Sequence, residues 1–577
     1  MRPHLAALLA LGVAAAPAAA QEAAAPERTV SVAAEKAAEA ERFMVAAAHP
    51  LAAMAGYDVL AEGGTAADAA VAVQVMLNLV EPQSSGLGGG AFALHWDAEA
   101  RRLTSYDGRE RAPLSADETY WLGPDGAPVG WWEAVVGGRS VGVPGTPKLL
   151  ETLHEEHGRL DWAALIAPSI RLAEEGFAIS PRLAGLIESA AERDLRRFPQ
   201  TRAYFFHEDG APKRAGEILR NPAFAETLRR YAEQGAAPFY EGEIAEAIVA
   251  AVRTETNPGQ LTMEDFAAYR VVERAPVCVD YRGDQVCGMG PPSSGGLTVG
   301  QILGILSGYA LPALGPTPEA YHLFIEASKL AYADRALYMA DSDFVDMPEG
   351  LLDPDYLAAR AALIDPGRAM EAAEAGEPPW DDARLLAPDL QPERPGTSHF
   401  SIVDAEGNMI SMTSSIETGF GSRVMTRGFL LNNELTDFSR APERDGRPVA
   451  NRVEGGKRPR SSMAPTIVLR DGAPALLAGS PGGSRIIPYV ARSLIAVLDW
   501  GMTPAEAAAL GHVTNRNGPT DLEAGTEAEA LAEPLGALGH ETRTGDLNSG
   551  LHLIAIRRDG TLVGGADPRR EGLPLGE

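Results

Sequence analysis

The sequence predicts an α+β protein in which long helical segments precede a run of closely spaced strands. Residues 140–270 and 315–375 carry Ala, Leu and Glu at the 3.6-residue spacing of helices. From residue 397 onward, short alternating runs are separated by turn residues, as in antiparallel hairpins. Such segregation favours layers of helix packed on antiparallel sheet. The 577 residues are enough to bury a large core.

The first segment, residues 1–20 (MRPHLAALLALGVAAAPAAA), has a positive start, an apolar run and a small-residue end. We expect a secretory signal peptide that is cut after Ala20, so that the mature chain is soluble and either periplasmic or secreted. The alternative, a membrane anchor, needs about 20 apolar residues, and this run is shorter. No later segment is apolar enough to predict a stable membrane span.

The charge balance excludes one class of partner. Asp and Glu number 79 against 50 Lys and Arg, which gives a formal net charge of -29. An acidic surface repels phosphate backbones, so no nucleic-acid partner is expected.

Residues 50–80 read as two helices that are broken at Gly63-Gly64. The segment that follows, GLGGGA at residues 86–91, matches a dinucleotide-binding fingerprint, which requires a strand before it and a helix after it. Here a helix precedes and the alternating run AFALHW follows. The glycines therefore predict a tight turn into a strand, and no cofactor is expected.

The two cysteines, Cys278 and Cys287, flank a predicted two-residue turn at Arg282-Gly283. Counting outward from that turn places the cysteines opposite each other as a non-hydrogen-bonded pair, which suits a disulfide in an exported protein. The alternative is two independent buried thiols. The spacing lacks the pattern of a zinc site, and no metal is predicted.

Residues 376–396 are rich in Pro, Asp, Glu and Arg and predict an exposed linker that ends at Gly396. After it, the runs on either side of the turn from Asp404 to Asn408 predict a hairpin. Pairing about its centre places Thr397 opposite Ser415 at the open end.

A second hairpin is predicted over residues 461–485, with its turn at Asp471-Gly472. The same counting places Ser462 opposite Gly482. Consecutive glycines leave backbone N–H groups unshielded, which an oxyanion hole requires.

Ser480 is a rival nucleophile, because AGSPG approximates the G-x-S-x-G elbow. That motif needs a following helix and a downstream histidine and acid. The downstream histidines, His512, His540 and His552, suggest no triad, and the preceding hairpin argues against that fold. Ser480 is therefore not the predicted nucleophile.

Five motifs stand in one order along the C-terminal half: GTSHFSIVD, TSSIETGFGS, LLNNELTDFS, KRPRSSMAPT and GSPGGSR. In this order and spacing the chain resembles the γ-glutamyltransferase family, N-terminal nucleophile (Ntn) hydrolases that are made as one chain and cut themselves before a threonine. The resemblance implies a four-layer αββα sandwich. It also implies cleavage between Gly396 and Thr397, so that residues 21–396 form a large subunit and residues 397–577 a small one, which stay together as a heterodimer.

The resemblance implies that Thr397 is the nucleophile and that its freed α-amino group is the base. Ser415 would hydrogen-bond the threonine hydroxyl. Gly482 and Gly483 would supply the N–H groups of the oxyanion hole.

The donor-binding residues are likewise implied by the resemblance. Arg109 in DGRERAP would hold the α-carboxylate of a γ-glutamyl donor. The hydroxyls of Ser461 and Ser462 would bind the same carboxylate. The acids that would surround the donor's α-ammonium are Glu417, Glu434 and Asp437.

The expected function is that of an exported γ-glutamyltransferase and glutathione hydrolase, which passes the γ-glutamyl group of glutathione to water, an amino acid or a dipeptide. One alternative is an acylase of the same superfamily that acts on glutaryl β-lactams, for which the donor's α-amino group is not required. Another is a non-catalytic exported binding protein, which an uncut chain would indicate.

Overall fold

The computed structural model describes residues 36–380, 385–391 and 396–577. The predicted signal peptide, residues 1–20, lies outside the described residues. Within the described part of the chain, no helix combines the length and the apolar character needed to cross a bilayer.

The strands of the described residues are β1 (Lys36–Ala40), β2 (Met44–Ala47), β3 (Gly90–Asp97), β4 (Arg102–Gly108), β5 (Phe177–Ala178), β6 (Ile218–Leu219), β7 (Val272–Arg274), β8 (Val277–Tyr281), β9 (Asp284–Gly288), β10 (Thr397–Val403), β11 (Met409–Ser415), β12 (Met425–Thr426), β13 (Phe429–Leu430), β14 (Glu443–Arg444), β15 (Arg447–Pro448), β16 (Thr466–Arg470), β17 (Ala473–Ala478), β18 (Val513–Thr514), β19 (Thr520–Glu523), β20 (Thr542–Gly545), β21 (His552–Ile556), β22 (Leu562–Ala566) and β23 (Leu573–Gly576).

The α-helices are α1 (Pro50–Ala61), α2 (Ala66–Val80), α3 (Trp131–Val135), α4 (Thr146–His157), α5 (Trp162–Glu175), α6 (Pro181–Ala191), α7 (Pro199–Phe205), α8 (Pro222–Gln234), α9 (Ala237–Tyr240), α10 (Glu243–Ala251), α11 (Met263–Ala267), α12 (Gly295–Leu306), α13 (Leu311–Leu314), α14 (Pro318–Tyr338), α15 (Pro354–Ala361), α16 (Ile486–Leu498), α17 (Pro504–Ala509) and α18 (Ala532–Ala537). Short 3-10 turns cover Gly138–Ser140, Glu349–Leu352, Glu434–Asp437, Gly483–Arg485 and Glu527–Leu531.

Two seven-stranded sheets form the centre of the protein. The first sheet has the order β1-β22-β21-β17-β16-β9-β8, and the second has the order β23-β2-β10-β11-β3-β4-β7. Every strand pair within these two sheets is antiparallel. Both of these sheets combine strands from before and after residue 397, so neither part of the chain contains all the strands of either seven-stranded sheet.

The burial pattern shows how the sheets stack. On β2, Val45 and Ala47 belong to the apolar core under the helices, whereas Met44 and Ala46 belong to a separate core between the sheets. Successive strand residues point to opposite faces, so the second sheet is covered on both sides. The first sheet shows the same division at Ile467 and Val468 of β16. The predicted four-layer αββα arrangement is confirmed.

The first hairpin has the predicted register at its open end, whereas the ladder of the second ends before it reaches Ser462 and Gly482. Thr397 pairs with Ser415 through an unbroken ladder between β10 and β11. In the second hairpin a register shift between Val468 and Leu469 interrupts the ladder, which ends at the pair of Thr466 and Ala478. The segments that carry Ser462 and Gly482 therefore continue as loops beyond the paired strands.

The predicted linker over residues 376–396 is only partly exposed. In the described segment 385–391, Asp389 is buried and its carboxylate lies 3.1 Å from the guanidinium of Arg460. Gly396 is also buried. A charged composition predicted solvent exposure, but an opposite charge from a distant loop compensates the buried carboxylate. For these described residues, the prediction of an exposed linker was wrong.

A disulfide joins Cys278 and Cys287 across β8 and β9, where the two residues pair directly with a Cα–Cα distance of 4.1 Å. The hairpin turns at Arg282-Gly283, as predicted, because both residues adopt a positive φ.

Four of the buried histidines are expected to make the stability of the fold sensitive to acid. Burial is the main cause that lowers the pKa of His95 and His552 to about 3, and burial also lowers the pKa of His399 and His512 well below its ordinary value. The unfolded chain therefore binds more protons below about pH 6.5 than the folded chain does. Stability is then lost as the pH falls from about 6.5 towards about 3.

We expect the free energy of unfolding to fall in this window by about 1.4 kcal/mol per pH unit for each histidine. Urea unfolding of the wild type and of His552→Gln at pH 7.5 and pH 5 measures this slope for one site. The variant should lose less stability between the two pH values, and an equal loss in both proteins would contradict the prediction.

Candidate active site

A cavity with an empty volume of about 250 Å³ lies at the open end of the β10–β11 hairpin. The structure brings to it nine of the ten residues that the sequence predicted for catalysis and substrate binding, and Gly482 directly precedes another of them. The residues that line the cavity are Arg109, Thr397, Ser415, Glu417, Glu434, Asp437, Ser461, Ser462, Met463, Gly483 and Ile486.

Ser415 connects the hydroxyl of Thr397 to the backbone of Gly396. Its Oγ donates to the Gly396 carbonyl at 3.0 Å, accepts from the N–H of Glu417 at 2.8 Å, and lies 3.3 Å from Oγ1 of Thr397. A hydroxyl has one proton to donate, so Thr397 is the donor in the third contact. Ser415 thus polarises the carbonyl that precedes Thr397 while it orients the threonine hydroxyl.

The backbone at Gly396 passes very close to the loop that follows β11. A Cβ on this residue would lie 2.1 Å from the carbonyl oxygen of Glu417 and 2.6 Å from the carbonyl carbon of Thr418. Any larger residue must push one of these backbones aside. The Gly-Thr step therefore requires its glycine for steric reasons.

Arg109 follows the last residue of β4 and is buried at the bottom of the cavity. Its guanidinium donates to the carboxylate of Glu434, to Oδ2 of Asp437 at 2.6 Å, and to the carbonyl oxygens of Pro459 and Arg460 at 3.1 Å each. Burial lowers its pKa, but the charges of Glu434 and Asp437 outweigh that effect and raise the pKa above its ordinary value.

This pairing refines the sequence analysis, which assigned Arg109 and the acids to opposite charges of a donor. In the structure the arginine and two of the three acids bind each other. A donor that carries a carboxylate and an ammonium group on one carbon matches such a pair, because each of its charges meets an opposite charge side by side.

Glu110 is a buried residue of the site that the sequence analysis did not single out. Its Oε2 lies 3.7 Å from Nη1 of Arg109. Burial and, after it, the charge of Glu434 raise the pKa of Glu110 well above its ordinary value, which favours the protonated form. The sequence signal for Glu110 was its position next to Arg109. That signal was weak, because charged residues in polar runs are usually exposed to solvent.

The glycine turn leads directly into a helix. Gly482 and Gly483 adopt φ values of 141° and 58°, and a Cβ on Gly482 would lie 2.8 Å from a ring carbon of Tyr489. The 3-10 turn Gly483–Arg485 then enters α16, whose first residue, Ile486, lines the cavity. The positive end of a helix dipole therefore faces the cavity, which favours a developing negative charge there.

Polar contacts fix the strand that carries Thr397. Arg570 donates from Nη1 to the Thr397 carbonyl at 3.0 Å. Ser398 donates to Oε2 of Glu81 at 2.7 Å, and Glu81 forms a buried ion pair with Arg182. These partners come from two distant parts of the chain, and both fix the start of β10.

Ser480 is not placed as a nucleophile. Its hydroxyl donates to the carbonyl of Pro481 at 2.8 Å, accepts from the N–H of Gly550 at 3.3 Å, and does not line the cavity.

A serine, a histidine and an aspartate do meet elsewhere, but in the wrong order for a triad. Ser549 lies between Nε2 of His512 at 2.5 Å and the carboxylate of Asp567. In a catalytic triad the histidine bridges the serine and the acid. All three side chains are buried, so we interpret these hydrogen bonds as structural and not catalytic.

One cluster in the described part of the chain has the composition of a metal site, namely His322, Glu326 and His540. Lys329 donates to Glu326 at 2.9 Å, and the two histidines lie 2.7 Å apart as partners of each other. An ammonium group thus already neutralises the acid, and the ligand atoms are engaged. These residues do not fit a divalent cation.

Comparisons with known proteins agree on one family. The family described as Gamma-glutamyltranspeptidase matches residues 52–576. The chain is similar to a glutathione hydrolase proenzyme of Bacillus subtilis (strain 168), with 38% identity over 92% of this chain and 90% of that protein. It is also similar to an acylase ACY 1 proenzyme of Pseudomonas sp. (strain V22), with 35% identity over 91% and 92%. Among solved structures, cephalosporin acylase from Bacillus halodurans superposes with a TM-score of 0.83 at 29% identity, covering 96% of this chain and 99% of that one.

Proposed function

The chain belongs to the gamma-glutamyltranspeptidase family, and on that premise we propose that it is an exported γ-glutamyltransferase with glutathione hydrolase activity. Its relatives catalyse a hydrolase or transferase reaction of this general class. The observation that carries the specific proposal is the cavity in which Thr397 lies beside Arg109 and three acids.

The first step is self-cleavage between Gly396 and Thr397. The Oγ1 of Thr397 attacks the carbonyl carbon of Gly396, the C–N bond breaks, and the hydroxyl proton passes to the leaving nitrogen. Water then hydrolyses the resulting ester, which leaves a carboxylate on Gly396 and a free amine on Thr397. The hydrogen bond from Ser415 to the Gly396 carbonyl supports this step, because it stabilises the charge that develops on that oxygen.

The freed amine is the base in turnover. Its unperturbed pKa of about 7.7 to 8.0 suits proton transfer near neutral pH. Thr397 attacks the γ-carbonyl of the donor, the oxyanion is held at Gly482 and Gly483, and the leaving amine takes the proton. Water, an amino acid or a dipeptide then removes the γ-glutamyl group from the threonine.

The donor site favours a γ-glutamyl group over the glutaryl group of an acylase substrate. Glu417, Glu434 and Asp437 supply three carboxylates, whereas Arg109 supplies one positive charge. A glutaryl donor adds a carboxylate but no ammonium group to interact with these acids, so a γ-glutamyl donor complements the charges of the site better. Acylase activity is the second candidate because of the acylase relatives.

The proposal is tested with the purified protein. Denaturing mass measurement should give two chains, the smaller of which begins at Thr397. The same protein should release nitroaniline from γ-glutamyl 4-nitroanilide, and faster when a dipeptide acceptor such as glycylglycine is added. Faster turnover of glutaryl 4-nitroanilide would favour the acylase, and an uncut chain without either activity would favour a binding protein.

Replacement of Gly396 by alanine is expected to slow self-cleavage strongly without unfolding the protein. The new Cβ would meet the Glu417 carbonyl at 2.1 Å, so the scissile carbonyl must move away from the Ser415 hydroxyl. Loss of one such oxyanion donor costs about 10²- to 10³-fold in rate. The fraction of cut chain over time after synthesis measures the effect. Gly419→Ala is the matched control, since a Cβ there meets no atom within 4 Å; equal cleavage rates in both variants would refute the steric argument.

A further inference from the structure

One face of α14 lies beneath the cavity and belongs to the part of the chain before Thr397. Tyr332 and Arg335 are three residues apart on this helix and so project from one face. The Tyr332 hydroxyl donates to the carbonyl of Ser484, next to the glycine turn. The guanidinium of Arg335 lies over the Tyr332 ring, 5.7 Å from its centroid. This helix therefore supports the floor of the site.

Arg335 contacts Ser462, which lines the cavity, and Ser294, which does not. Its Nη2 donates to Oγ of Ser462 at 2.7 Å, and its Nε donates to Oγ of Ser294 at 2.8 Å. Ser294 in turn donates to the carbonyl of Ser461 at 2.7 Å, and its N–H donates to the same oxygen at 2.8 Å. One buried guanidinium thus fixes the side chain of Ser462 and, through Ser294, the backbone of Ser461.

The chemistry of this contact determines what Ser462 can do. A guanidinium offers only donors, so Oγ of Ser462 must accept from Arg335, and the serine's own proton points away from the guanidinium. A hydroxyl that accepts a charged hydrogen bond becomes a stronger donor in a buried site. Ser462 is thereby prepared to donate to an anion.

The charges of the cavity explain why such support is needed. Among the described residues that line the cavity, Glu417, Glu434 and Asp437 are the acids and Arg109 is the cation, so these acids oppose the approach of a carboxylate to the serines. Arg335 brings a second positive charge to the serine side of the cavity, where it is 5% exposed and little screened.

We propose that Arg335 is a positioning residue for the α-carboxylate of the donor and that it acts through Ser462. This inference rests on the proposed γ-glutamyl function and identifies a residue of the large part of the chain that determines donor binding. Arg335 does not itself line the cavity, so its effect must pass through the serine that does.

A double-mutant cycle tests the inference, with γ-glutamyl 4-nitroanilide as donor and rates expressed per cleaved protein. Arg335→Met should lower kcat/KM by about 10- to 100-fold, mainly through a higher KM, because a hydrogen bond to a charged group is lost. Ser462→Ala should have an effect of similar size. The double variant should be no slower than the slower single variant. If Arg335→Met lowered kcat/KM by the same factor in the wild type and in the Ser462→Ala variant, the inference would be overturned. An unchanged KM in Arg335→Met would overturn it as well.

Two further variants keep the test decisive. Arg335→Lys retains the charge but cannot donate to both Ser462 and Ser294, so its KM should lie between those of the wild type and Arg335→Met. If Arg335→Met does not fold, Arg335→Lys replaces it in the cycle. Arg360→Met removes another buried arginine, which pairs with Asp334 and does not line the cavity. It should leave KM unchanged; a rise equal to that of Arg335→Met would show a general packing effect and overturn the inference. A wild type that does not turn over the anilide would instead refute the proposed function.

Discussion

Thr397→Ala is expected to remain one uncut chain and to lose activity by roughly 10⁵-fold or more, because one hydroxyl serves both self-cleavage and turnover. Its contacts fit that double role, since Oγ1 lies 3.3 Å from Ser415, which also holds the carbonyl of Gly396. Denaturing mass measurement should give a single chain that contains both residues 396 and 397. The γ-glutamyl 4-nitroanilide assay should give no burst of nitroaniline.

Two matched variants separate the chemical effect from damage to the fold. Thr397→Ser keeps the hydroxyl and the amine and should still be cut and active, at a reduced rate. Ser480→Ala removes a buried hydroxyl that bonds only backbone groups, namely Pro481 and Gly550, and should be cut as the wild type is. Full cleavage of Thr397→Ala, or loss of cleavage in Ser480→Ala, would contradict the assignment of Thr397.

Arg109→Lys is expected to lower kcat/KM for a γ-glutamyl donor by about 100-fold or more. An ammonium group cannot reproduce the planar fork that contacts Glu434, Asp437 and two backbone carbonyls at once. The acids would then lose their fixed geometry, and both charges of the donor would be held less firmly. Steady-state kinetics with γ-glutamyl 4-nitroanilide, with and without an acceptor dipeptide, measures the loss.

Arg109→Met should lower both stability and activity more than Arg109→Lys does. It removes the guanidinium that both Glu434 and Asp437 contact, and breaking a buried ion pair in this way costs about 3–5 kcal/mol. Urea unfolding measures that cost. Arg111→Lys is the control from the same motif, because Arg111 is half-buried, bonds the carbonyls of Gly456 and Ala268, and does not line the cavity. Equal losses in Arg109→Lys and Arg111→Lys would show that the motif matters for folding and not for the donor.

Local sequence patterns were enough to predict the β10–β11 hairpin and hence the pairing of Thr397 with Ser415. A short turn and the strict alternation of strand residues fix this register locally, so simple counting was sufficient. The same reasoning determined the pairing of Cys278 with Cys287. The motif order, in turn, determined the family, since each motif keeps its place in a fold built from both parts of the chain.

The arrangement of the charges, by contrast, depends on contacts between distant parts of the chain. Arg109 and Glu434 are 325 positions apart, and nothing in either local pattern shows that they form a buried ion pair, or that Glu110 lies behind it. The support of Ser462 by Arg335 likewise depends on how α14 packs against the loop that precedes β16. Contacts of this kind follow from the packing of whole layers, whereas a hairpin register follows from a few neighbouring residues.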